Sequence, residues 1–141
     1  MTLSESIKTC FQKYAVFNGR AKRSEYWYFF LFGFLSTVCL SILDMALFPR
    51  NENGVLSLII TLITFIPLIS AACRRLHDIN RSGWWQLLPY GIIFTGLILS
   101  LISETLLVVG IVVGVIAAII LVFWLASPGE NSKNRFGPAL K

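Results

Sequence analysis

Charged residues are scarce in this chain: they make up 13% of its 141 residues, and there is one histidine. Soluble domains carry about 25% charged residues. With 56% of residues hydrophobic and a mean hydropathy of +0.75, a soluble fold of this length lacks the interior to hide its apolar side chains. The bilayer is therefore the expected solvent for much of the chain. The three cysteines, Cys10, Cys39 and Cys73, form no CxxC pair or Cys/His cluster, which leaves disulfide frameworks and zinc sites without support. Zinc-protease and nucleophile-elbow patterns are missing as well. Neither a metal nor a cofactor is expected.

What is present is four apolar runs, at about 26–48, 55–73, 84–102 and 106–126. Each is long enough to cross a hydrocarbon core as a helix at 1.5 Å per residue. Tyr26, Trp27 and Tyr28 stand at the start of the first run as interfacial anchors. Pro49-Arg50-Asn51-Glu52-Asn53-Gly54 reads as a turn, and Pro128-Gly129 stops the last run. Ahead of the runs, Thr2-Leu3-Ser4-Glu5 fits a capping box. Leu3, Ile7, Phe11 and Tyr14 then recur at helical spacing, opposite Lys8, Thr9, Gln12 and Lys13. This predicts an amphipathic helix over 1–19 lying in the membrane interface; the plainer alternative is a helix packed on a protein core. The predicted architecture is one all-α integral membrane domain, 1–141, with four transmembrane helices and a polar, irregular tail over 127–141.

Orientation follows from the basic residues. An even number of crossings puts both termini on one side, together with the polar stretch Arg74–Gly83. That side holds eleven of the twelve Lys and Arg residues, and Arg50 alone faces the other. The positive-inside rule makes it cytoplasmic. The net charge of +5 thus points to anionic lipid headgroups rather than nucleic acid.

Three clusters carry the polar chemistry. Arg20 and Arg23 accompany Glu25; Arg74, Arg75 and Arg81 accompany His77 and Asp78; Arg135 follows Asn134. In a bundle they fall in one layer at the membrane surface. Glu25 and Asp78 are the internal acceptors, and arginine forks outnumber them. Three readings stay open: an ion-pair network stapling the loops, a site for anionic lipid or a partner protein, and catalysis. His77-Asp78 resembles the pair of metal-dependent phosphohydrolases, but those need further histidines. Gly110-x-x-x-Gly114 allows close helix approach, either within the bundle or across a homodimer. Transport calls for ionisable groups at membrane depth, and the run centres have none. The function expected is therefore a non-enzymatic membrane protein whose arginine-rich layer staples the bundle and binds anionic lipid or a partner. The alternative is a small transporter or a transporter accessory subunit.

Three ordered motifs carry a family resemblance. They are Phe17-Asn18-Gly19-Arg20-Ala21-Lys22-Arg23-Ser24-Glu25-Tyr26-Trp27; Arg74-Arg75-Leu76-His77-Asp78 with Arg81-Ser82-Gly83-Trp84-Trp85; and Asn134-Arg135-Phe136-Gly137-Pro138. Together they resemble the bacterial inner-membrane family called domain of unknown function 805, of the YhaH/YhaI type. The resemblance implies a cytoplasmic-membrane location and supplies no activity. Asn80 stands where that pattern has glycine, a substitution compatible with a left-handed turn.

Overall fold

The computed structural model describes residues 1–48 and 54–140, and within them every regular element is helical. The elements are α1 (Leu3–Gln12), α2 (Arg23–Leu47), α3 (Val55–Asp78), a short 3-10 helix (Gly83–Leu87), α4 (Leu88–Leu99) and α5 (Glu104–Ala126). Three of these, α2, α3 and α5, are long and apolar enough to cross a membrane, and Gly83–Leu99 is a shorter apolar segment. The turn expected at Pro49–Gly54 falls mostly outside the described residues.

Local sequence sets the helix ends. Thr2 closes the capping box of α1, its hydroxyl accepting from the Glu5 N–H at 3.3 Å while its own N–H donates to Glu5 Oε2 at 2.8 Å. Asp44, buried near the end of α2, accepts from the N–H groups of Leu56 and Ser57 at 3.0 and 2.9 Å. It therefore satisfies the first orphan donors of α3 across the connection. Pro89 sits in the first turn of α4, where its missing N–H costs nothing.

Several boundaries differ from the sequence reading. The helix expected over 1–19 covers Leu3–Gln12 and is docked, with Ser6 and Cys10 fully buried, Ile7 and Phe11 half-buried, and Leu3 and Tyr14 exposed. The third run starts as a 3-10 helix and its α-helix ends at Leu99, three residues short of the predicted end. The largest correction concerns Arg74–Asp78, expected in a loop. These residues are the last turn of α3. Apolar sequence ends at Cys73, but the helix continues because its polar side chains find partners inside the protein. The chain then turns at Asn80, whose φ is +58°.

Packing pairs α2 with α3 and α4 with α5, while α1 lies on α2. The α4–α5 contact is nearly backbone on backbone: a methyl group built on Gly110 would stand 2.6 Å from Gly96 Cα, and one on Gly114 would stand 2.4 Å from an Ile93 side-chain carbon. Gly110 and Gly114 thus face α4 of their own chain. A small core of Cys10, Tyr26, Phe29, Ala71, Ala72, Leu76 and Leu125 joins the hairpins at one end. Away from it the long helices expose large apolar side chains, such as Ile42, Leu62, Ile119 and Phe123. Among the most deeply buried large side chains are Arg74 and Arg75. Both lie at the end where the hairpins meet, turned into the protein and away from the apolar outer faces.

Candidate functional site

The buried arginines form two linked knots. In the first, Asp78 at the end of α3 accepts from two guanidinium groups: Arg20 Nε reaches Oδ1 at 2.8 Å and Arg75 Nη1 reaches Oδ2 at 2.6 Å. Arg20 also donates to the tail, to the carbonyls of Ser132 at 2.8 Å and Pro138 at 3.2 Å and to that of Glu130. Arg75 donates to the carbonyls of Leu125 at 3.0 Å and of Ser127. These carbonyls close the C-terminal end of α5, where a cation also meets the negative end of the helix dipole. Gly129 passes so close that a methyl group there would lie 2.0 Å from Asp78 Oδ2. The Glu130 N–H donates to the Asp78 carbonyl at 3.0 Å. The tail expected to be irregular is so, and it is docked.

The second knot sits one residue back. Arg74 Nη2 pairs with Glu25 Oε1 at 2.9 Å. Its Nη1 donates to Ser70 Oγ at 3.1 Å and to the Val16 carbonyl. Arg74 Nε has no partner among the described residues. The Glu25 carbonyl accepts from Ser6 Oγ at 2.6 Å, which ties α1 to the knot. Cys10 lies beside it, and burial followed by the Glu25 charge pushes its thiol up to about 11. Its thiolate is thus suppressed.

Three guanidinium groups face two carboxylates, leaving one formal positive charge that backbone carbonyls from the loop before α2, the end of α5 and the tail surround. Within the knots the surplus charge is surrounded by the protein itself, while Arg23 and Arg135 stay exposed. The cluster is a cross-link in which each fork satisfies several chain segments at once.

The remaining sequence-selected residues lie around it. His77 Nδ1 stands 3.1 Å from the Gly19 carbonyl, which makes Nδ1 the protonated nitrogen. Nε2 then faces Cys73 Sγ at 3.5 Å, and the ring stacks on Phe136 at 3.8 Å. Asn134 Nδ2 donates to the His77 carbonyl at 2.9 Å. Arg81 lies over the Trp124 ring at 3.8 Å. Arg135 reaches the Asn80 carbonyl at 3.1 Å and lies over Phe136. Arg23 is exposed. Sequence reasoning overlooked Ser6, Asp44 and Gly129. The capping preference of Asp ahead of a new helix was the available signal for Asp44; Ser6 and Gly129 had none. Among the described residues no group of three or more His, Cys, Asp or Glu side chains is placed to hold a metal.

The family described as "Protein of unknown function (DUF805)" matches residues 14–138, a span that contains every member of both knots except Ser6 and Cys10. Inner membrane protein YhaH of Escherichia coli K12 is 31% identical over 129 residues, covering 90% of this chain and 88% of the relative. Inner membrane protein YhaI of the same strain is 40% identical over 77 residues, 55% of this chain and 64% of that relative. No solved structure matches the chain.

Proposed function

We propose, from the premise that this chain belongs to the DUF805 family, that it is a non-enzymatic, multi-pass protein of the bacterial inner membrane. In this reading its ionic knots clamp two membrane hairpins, and its exposed cations bind anionic headgroups. The naming of YhaH and YhaI as inner membrane proteins supports the location, as do three helices of membrane-crossing length. The fourth crossing is the 3-10 helix with α4. Five residues at about 2.0 Å and twelve at about 1.5 Å span about 28 Å, close to a hydrocarbon core. The eleven-to-one distribution of basic residues supports a reading with four crossings and both termini in the cytoplasm. Helix α1, docked through Ser6 and Cys10, lies at the lipid interface and turns Leu3 and Lys8 outward.

The observation that carries this reading is the burial of Arg20, Arg74 and Arg75 with their forks filled by the protein itself. A catalytic or transport arginine keeps a fork open for its substrate, whereas these three staple. Headgroup binding therefore falls to the exposed Lys22, Arg23, Lys133 and Arg135, each worth roughly 1 kcal/mol against an anionic leaflet.

Native mass spectrometry of the protein released gently from its own membrane tests this. Wild type is expected to retain phosphatidylglycerol or cardiolipin, and the combined Lys22→Gln, Arg23→Gln, Lys133→Gln, Arg135→Gln variant to lose it with helix content unchanged. Equal retention in both sinks the headgroup reading. A stoichiometric protein in place of lipid would make the same cations a partner surface.

A further inference from the structure

The two knots leave part of the three sequence motifs without a role, and that part meets in one place. A cavity of about 530 Å³ lies beside α3. Its floor is the stripe Ile69, Cys73, His77, spaced four apart on that helix. Phe17 and Asn18 close it from the first motif, Ser82 and Trp84 from the second, and Phe136 from the third. Segments far apart in sequence thus converge on a volume typical of small-molecule pockets, about 300–1,000 Å³.

The lining defines the chemistry it accepts. No Lys, Arg, Asp or Glu is among the described lining residues, so the cavity offers no cationic partner to a phosphate or carboxylate head. It offers aromatic faces instead. His77 stacked flat on Phe136, with an interplanar angle of 4°, forms one stretch of wall, and Trp84 stands at the exposed rim. Hydrogen-bonding groups are few and uncharged. Exposed Asn18 and half-buried Gln86 add their side-chain amides to the lining. Ser82 Oγ accepts from the Trp84 N–H, which leaves its own O–H to donate. The cavity straddles the level where α3 passes from apolar Ile69 to polar His77, the depth at which the head of a membrane-dissolved molecule rests. A second cavity of about 400 Å³ shares Ile69, Gln86 and Leu87 as a wall and is lined mainly by apolar side chains including Phe65, Leu68 and Leu121.

We infer that this cavity binds a neutral, lipid-soluble molecule with a flat, oxygen-bearing ring of the quinone type. The ring lies against the His77–Phe136 wall, and its oxygens meet Asn18, Ser82 and Gln86. The apolar tail leaves past Ile69 and Leu87. This goes beyond the headgroup reading and does not rest on it, because the exposed cations and the cavity lining are different residues.

The test is equilibrium binding of ubiquinone-1, a short-tailed benzoquinone, to the full chain in mild detergent, corrected for partition into empty micelles. Saturable binding is expected near one per chain. Asn18→Leu and Gln86→Leu each remove one hydrogen-bonding amide at the cavity while leaving the knots intact. Each should weaken binding about tenfold with an unchanged melting temperature of the free protein. The Lys22→Gln, Arg23→Gln pair should bind as wild type does. Non-saturable uptake by wild type overturns the inference outright. So does unchanged affinity in both leucine variants, and so does displacement of the quinone by phosphatidylglycerol, which would mark the cavity as a phospholipid site.

Discussion

Asp78 carries the heaviest single load. Its two oxygens hold Arg20 and Arg75, so Asp78→Ala leaves two buried guanidinium groups without their anion. Breaking a buried pair costs about 3–5 kcal/mol, and thermal denaturation in detergent should show a loss of that size or outright failure to fold. Arg75→Lys tests the fork separately. It keeps the charge but cannot reach Asp78, Leu125 and Ser127 together, so it too should lower the melting temperature. Cys10 gives a chemical readout. With its thiol pushed up to about 11 by burial and Glu25, roughly a thousandth is thiolate at pH 8, the form that maleimides attack. Labelling of Cys10 should be slow in the folded protein and fast after unfolding in dodecyl sulfate. Equal rates would show that α1 is undocked.

Among the elements, α3 shows where sequence reading stops. Its apolar part was legible from hydropathy, but its last turn was not, since a run of Arg, Arg, His and Asp ends any hydropathic pattern. Arg74 is helical because Glu25, 49 residues earlier, answers it, and Asp78 because Arg20, 58 residues earlier, does. Pairings at such separations leave no local periodicity. The α4–α5 contact was half legible. Gly110 and Gly114 announced a close approach, and nothing in the spacing named Gly96 as the opposing residue. Gly110→Leu should therefore force the hairpin apart at a cost of about 1–3 kcal/mol, read as new protease sensitivity between α4 and α5. At the far end, Asp44→Ala should lower the melting temperature and Asp44→Asn restore part of it, because the amide oxygen can replace one of the two acceptor oxygens.

At the scale of the molecule, two hairpins joined at one end predict a definite topology. Reporter fusions after Asn80 and at the C-terminus should read cytoplasmic, and a fusion after Glu104 should read external. A C-terminus that reads external would overturn the four crossings. Membership in an inner-membrane family was legible because three ordered motifs resemble it, and the abundance of helix because composition and apolar run length carry it. The docking of the tail was not, since it rests on backbone carbonyls that every sequence has. That docking also imposes an order of events. Arg20 leaves the ribosome early, while the carbonyls of Glu130, Ser132 and Pro138 that fill its fork arrive 110–118 residues later. The segment that fills the Arg20 fork is therefore translated after every helix it locks in place. A chain cut short before Glu130 would leave the tail side of that fork unfilled, with Asp78 alone still answering Arg20.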